Sequence, residues 1–425
     1  MATIPTICMI PSGYKAGKVY SVLPTNGDAD LTFTRASEAT RVDETGLIET
    51  MATGVPRLDY SDGGCPSLLV EPQSTNLFNY SEQFDDISWT NQRVTSVLEN
   101  IVNPRGEIGT YYLKEDTTPT NSHEIFQGTK TITAGAIITK SIYVKRKEGV
   151  ADRYLRLQFC DDTFANGARC VFDLQNNIMT TTLNYGLGTL ASSKVEDFGN
   201  GWFRISLSSK IDDTSTICRS NFYLQNQGGI GASYTGDGVS GCYIFGAQLE
   251  ALPYATSYIP TVASTVTRVF ETYSKAGLQN YINSTQGTFF IKCKSLTNKT
   301  GVDTCNVSLN DGTTNNRVVI AYTSNSEIYI LLTVSGSPVY DAFLNTDLTQ
   351  IHSIAISWSE NNFLTYINGN LIEQQLTGVT FPINTLNRIS SSSGGVPFRS
   401  IPYIYNLQVF NQALTDQELQ TLTTL

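Results

Sequence analysis

Tyr154-Leu155-Arg156-Leu157-Gln158-Phe159 decides the fold. After Tyr154, apolar side chains fall on every second position, with arginine and glutamine between them. Successive side chains of an extended strand point to opposite faces, so this spacing describes a strand with one dry and one wet face. Its neighbours repeat the theme. Arg169-Cys170-Val171-Phe172-Asp173-Leu174 follows a turn at Asn166-Gly167. Ile138-Thr139-Lys140-Ser141-Ile142-Tyr143-Val144 is a further strand, and Asn200-Gly201 is a tight turn launching Trp202-Phe203-Arg204-Ile205-Ser206-Leu207. Tyr243-Ile244-Phe245-Gly246-Ala247-Gln248-Leu249-Glu250 reads as the last. Short strands at this spacing, without long helices, predict a β-sandwich over residues 83–262.

The remainder of the chain follows from that centre. Residues 286–425 predict a second sandwich. It opens at Gly287-Thr288-Phe289-Phe290-Ile291 and has a hairpin around Ser324-Asn325. Ile354, Ile356 and Trp358 alternate on one face, and a primed turn falls at Asn368-Gly369. Thr415 and Glu418 have capping-box spacing at the head of a short final helix. Residues 263–285 read as a linker. Residues 1–82 are rich in breakers, and Pro24 and Pro72 end their short apolar runs. They read as an irregular arm with no core of its own, either extended onto another molecule or laid as loops over the next domain. The expected fold class is therefore all-β: an irregular N-terminal anchor arm, two antiparallel β-sandwich (jelly-roll) domains and a short C-terminal helix.

Composition narrows the function classes. The net charge is −10, which argues against a phosphate-binding surface, so no nucleic-acid partner is expected. No apolar run approaches the length of a membrane span, and no membrane insertion is expected. The N-terminus lacks a basic region followed by a continuous apolar stretch, which predicts synthesis in a cytoplasm without the usual export route. Two histidines, His123 and His352, nearly exclude a multi-histidine metal site. None of the eight cysteines forms Cys-x-x-Cys, which points away from zinc and towards buried free thiols. A disulfide between Cys160 and Cys170 stays open, because the two flank a hairpin.

The search for chemistry finds scattered residues. Asp85-Asp86, Asp161-Asp162 and Asp212-Asp213 could supply oxygen ligands to calcium, but no Asp-x-Asp-x-Asn-Gly loop accompanies them, and turn-forming aspartate is the favoured reading. No Gly-x-Ser-x-Gly elbow supports a Ser-His-Asp triad. Gln225-Asn226-Gln227-Gly228-Gly229 lacks a following Gly-Lys-Ser/Thr and reads as a surface loop rather than a phosphate loop. Trp89, Trp202 and Trp358 read as core anchors rather than sugar-stacking platforms. No catalytic, cofactor-binding or metal-ligating residue is assigned, no cofactor is expected, and no glycan-binding residue is singled out.

Three stretches carry a resemblance. Phe33-Thr34-Arg35-Ala36-Ser37, Ala39-Thr40-Arg41-Val42, Pro56-Arg57-Leu58-Asp59-Tyr60 and Leu68-Leu69-Val70-Glu71-Pro72-Gln73-Ser74-Thr75-Asn76-Leu77 resemble the anchor region of tailed-bacteriophage virion proteins, in particular those of Bacteroidetes and crAss-like phages. Gly199-Asn200-Gly201-Trp202-Phe203-Arg204, Gly246-Ala247-Gln248-Leu249-Glu250 and Ala255-Thr256-Ser257-Tyr258-Ile259-Pro260-Thr261 are similar to a carbohydrate-binding-like sandwich. Tyr366-Ile367-Asn368-Gly369-Asn370 with Ile404-Tyr405-Asn406-Leu407-Gln408-Val409-Phe410 resembles the concanavalin A-like domain in its laminin-G form. That last family includes glucanases, but their Glu-x-Asp-x-x-Glu strand pattern is absent. A carboxylate pair assembled from separate strands stays open.

The resemblance implies a non-enzymatic virion protein, released from its bacterial host with the particles. A head fibre displaying glycan-binding sandwiches is the leading expectation. The alternatives are a tail fibre or tail-tip receptor-binding protein, a glycan depolymerase, and a ligand-free capsid cement. Expected partners are sister copies in a dimer or trimer, other virion proteins held through residues 1–82, and host-surface glycans.

Overall fold

The computed structural model of the chain describes residues 3–229, 231–298, 305–394 and 399–425. They fold into two compact units. One comprises Met1–Glu44, Thr50–Gln73 and Val269–Leu425, and the other Thr45–Glu49 and Ser74–Arg268. Both are antiparallel β-sandwiches, and the only described helix is Asp416–Thr423.

In the second unit, one sheet runs in the order Thr90–Gln92, His123–Phe126, Ile217–Gln225, Tyr154–Cys160, Gly167–Asp173, Ile178–Tyr185. The other runs Val94–Val102, Ile108–Glu115, Gly241–Glu250, Ile137–Arg146, Trp202–Lys210, Thr189–Asp197. Leu155, Leu157, Phe159, Cys170, Phe172, Phe222 and Leu224 from the first sheet meet Ile138, Ile142, Val144, Ile205, Leu207 and Ile244 from the second in one core. Apart from Phe222 and Leu224, whose strand is not among those read from the sequence, these lie on the strands that alternation identifies. Trp89 and Trp202 are buried. Asn200 and Gly201 both have positive φ, 53° and 77°, as a primed turn demands.

The first unit corrects the expected domain plan. Residues 1–82 do not form a separate arm. Ile7–Met9 pairs with the closing strand Tyr403–Phe410, with Ile7 opposite Val409. Leu31–Thr34 pairs with Thr272–Ala276, and Arg57–Asp59 and Ser67–Leu69 extend the sheet that contains Gly287–Lys294 and His352–Ser359. Ile7, Met9, Val19, Leu31, Phe33, Leu68 and Val70 lie in the same core as Phe289, Ile354, Ile356, Trp358 and Leu407. Runs too short to build a core become strands when a longer sheet supplies their hydrogen-bond partners. Residues 263–285 are likewise not a linker: Val266–Arg268 pairs with Ser74–Asn76 in the second unit, and Thr272–Ala276 is an interior strand of the first.

All eight cysteines are free, and only Cys65 is exposed. In the hairpin Cys160 faces Gly167 and Cys170 faces Leu157, so the register holds the two thiols apart.

Candidate functional site

The residues behind the resemblance are structural. Arg35, Arg57, Glu71 and Glu271 form a fully buried ionic cluster in the first unit. The Arg35 guanidinium lies 2.7 Å from Glu271 Oε1, and Arg57 reaches both Glu71, at 2.7 Å, and Glu271. The backbone N–H of Glu71 donates to Glu271 at 2.8 Å. In the second unit, Asn76 Nδ2 donates to the carbonyls of Ala247 and Ile259 at 3.0 and 2.9 Å, while its Oδ1 accepts from the N–H of Phe78 and Leu249. Glu250 accepts from Ser74, Gln248 and Thr256. The side chains of these motifs are consumed in holding backbone together.

The aspartate doublets settle as turns. Asp161 accepts from the N–H groups of Thr163 and Ala165 and from Asn166 Nδ2. Asp212 accepts from Thr214 and Ser215, and the Ser215 hydroxyl above all holds its carboxyl down to about 2. Among the described residues no cluster of three or more His, Cys, Asp or Glu side chains could hold a metal ion. His123 and His352 each open a buried strand, one in each unit.

The wet face of Tyr154–Cys160 holds a different arrangement. Residues opposite one another on neighbouring strands share a face. One row of the sheet is Glu124, Tyr223, Arg156, Val171, and the next is Phe126, Asn221, Gln158, Arg169. These side chains point away from the apolar core, yet Glu124, Arg156, Gln158, Asn221 and Tyr223 are each at most 7% exposed. Phe126, Tyr154, Arg169 and Tyr185 form a half-buried rim. At one end the segment after Gln225 crosses the face: Gly228 O accepts from Thr181 Oγ1 at 2.7 Å, and Gly228 packs against the Tyr154 ring. At the other end Arg219 pairs with Asp162 at 2.6 Å beside the Phe164 ring.

The floor is polar and incompletely satisfied. Asn221 Nδ2 donates to Glu124 Oε2 at 2.7 Å, and Ser122 Oγ donates to Glu124 Oε1 at 3.2 Å. Gln158 Oε1, Asn221 Oδ1, Gln225 Oε1 and Arg169 Nε are buried without a hydrogen-bond partner. The Arg156 guanidinium lies 4.7 Å from the centre of the Tyr223 ring, and that of Arg169 lies 5.2 Å from Tyr185. Burial, and then the neighbouring charge of Arg169, push the Arg156 guanidinium down to about 10. Burial and then Glu124 push the Tyr223 phenol up. The face thus brings two cations and aromatic rings together above a sealed polar floor whose amide oxygens are unsatisfied. Sequence reading identified the wet face but not its members on other strands. Arg156 and Gln158 stand in the decisive stretch, whereas Asn221, Tyr223 and Glu124 join them only through strand order.

No family model and no curated protein matches the sequence. Among solved structures, the chain is similar to the CBM40 of the Ruminococcus gnavus IT-sialidase bound to α2,3-sialyllactose, at 18% identity over 33% of this chain and 83% of that one, with a TM-score of 0.28. It is also similar to domain 4 of AbnA, a GH43 extracellular arabinanase from Geobacillus stearothermophilus, in complex with arabinotriose (13% identity, 41% and 81% covered, TM-score 0.30). A third is the heptameric SAP-like pentraxin of Limulus polyphemus (17% identity, 33% and 70% covered, TM-score 0.26).

Proposed function

We propose that the chain is a non-catalytic saccharide-binding protein that serves as a tailed-phage appendage, a head fibre. The sugar is received on the outer face of the sheet containing Tyr154–Cys160. The observation that carries this reading is the polar row of Arg156, Gln158, Asn221 and Tyr223 on the side of the sheet away from its core, rimmed by the half-buried Tyr154, Arg169 and Tyr185. The Arg169 guanidinium on the rim can donate to sugar oxygens, and tyrosine rings suit the apolar faces of pyranose rings. Glycosidases use two carboxylates about 5 Å or more apart across the scissile bond. Here Glu124 is already engaged by Asn221 and Ser122, which supports binding without cleavage. The phage placement rests on the resemblance of residues 33–77.

The test is a glycan array probed with the full chain, followed by Tyr223→Ala and Gln158→Ala. Each variant is expected to weaken binding at least tenfold while remaining folded by circular dichroism, with Tyr223→Ala, which truncates a buried ring, also lowering the melting temperature. Failure of the wild type to bind any glycan overturns the binding reading, and new reducing ends from a bound polysaccharide overturn the non-catalytic one. Immunogold labelling of particles tests the placement: protein absent from purified virions rejects it.

A further inference from the structure

We infer that the saccharide taken on this face is acidic, with its carboxylate or sulfate seated between Arg156 and Arg169. This inference rests on the reading of the face as a saccharide site. It follows from how the guanidiniums on and around the sheet are neutralised. Arg219, at one end, pairs with Asp162, and Arg93, at the side, lies 4.0 Å from Glu124. Arg169, on the rim, makes no ion pair with a described residue, and its buried Nε has no hydrogen-bond partner. Gln158 stands directly opposite Arg169, and Arg156 is two residues away on the same strand as Gln158. The two arginines are thus diagonal neighbours, at a separation that long side chains bridge.

Like charges placed so, on a floor with little solvent, repel one another. The two rings hold them in place: Tyr223 lies against Arg156 and Tyr185 against Arg169, which sets the guanidinium planes before a ligand arrives. A planar fork of N–H donors matches a carboxylate or sulfate better than a hydroxyl. The chain as a whole carries −10, so a polyanion has no general attraction to it, and binding of one requires a local cationic seat.

The experiment titrates the full chain with alginate, polygalacturonate and hyaluronan, each against its carboxyl-reduced counterpart, and with dextran sulfate against dextran. At least one acidic form is expected to bind ten or more times tighter than its neutral partner. The sulfate arm separates sulfated from carboxylated ligands. Arg169→Gln is expected to abolish that preference and Arg169→Lys to retain part of it, with melting temperatures confirming that both variants fold. Equal affinity for acidic and neutral forms overturns the acidic assignment and leaves the saccharide site standing. A preference that survives both Arg169→Gln and Arg156→Gln also overturns it, because the charge is then read elsewhere. Binding of neither form overturns both readings.

Discussion

Lys140 carries its amine into the core of the second unit, where its Nζ donates to the carbonyls of Gln158 and Asn221 at 2.7 and 2.5 Å and lies 4.3 Å from the centre of the Phe222 ring. Burial pushes it down to about 7, the thiols of Cys218, Cys170 and Cys160 oppose that change, and Arg156 adds to it. Because the folded value is depressed, the unfolded chain takes up a proton first as pH falls. Stability is therefore lost progressively from about pH 10.5 down to about 7 and is level below that. Lys140→Met is expected to raise stability at pH 7 by several kcal/mol, since each tenfold loss of proton affinity on folding corresponds to roughly 1.4 kcal/mol. It should also flatten the pH dependence between 7 and 10.5 relative to wild type. Urea melts across that range check it, and a less stable variant at pH 7 would refute it. Glu271 has the opposite logic. It serves two buried arginines and a backbone N–H, so Glu271→Gln leaves uncompensated charge and is expected to cost about 3–5 kcal/mol in urea unfolding of the first unit.

At the level of the element, the final helix behaves as its sequence reads. Thr415 Oγ1 caps the Glu418 N–H, the Glu418 carboxylate returns to the Thr415 N–H at 3.0 Å, and Leu419 is buried. Thr415→Ala is expected to cost about 1 kcal/mol, measurable as a small fall in melting temperature. Gly287 is less forgiving: a Cβ there would lie 2.4 Å from the buried Trp358 ring, so Gly287→Val is expected to destabilise the first unit severely. Trp358 was legible as a core residue from its alternation with Ile354 and Ile356, but the glycine that makes room for it was not. The same limit explains the candidate site. Alternation in Tyr154–Phe159 reveals a polar face, because periodicity is local. It does not reveal that Asn221 will lie opposite Gln158, because strand order is set by packing between distant segments. The N-terminal strands escaped for a related reason: Ile7–Met9 is a strand only because Val409, Gln408 and Leu407 offer it an edge.

On the scale of the whole molecule, each unit has its own core, but their chain paths differ. The first unit cannot be completed until its last strand exists, since Ile7 pairs with Val409. Contacts of such sequence separation fold slowly. Pulsed hydrogen exchange during refolding is expected to protect the amides of Tyr154–Cys160 before those of Ile7–Met9; the reverse order would show that chain path does not govern assembly. A fragment of residues 286–425 is expected to be unfolded by circular dichroism, because it lacks Ile7, Met9, Leu31, Phe33 and Leu68. The second unit leaves and rejoins the chain at adjacent points, where Ser74–Asn76 is zipped to Val266–Arg268. Apart from Thr45–Glu49, it is a single uninterrupted stretch. A gene encoding such a chain holds nearly the whole second unit as a cassette, and an exchange bounded at that zipper would replace it while the flanking scaffold is inherited unchanged.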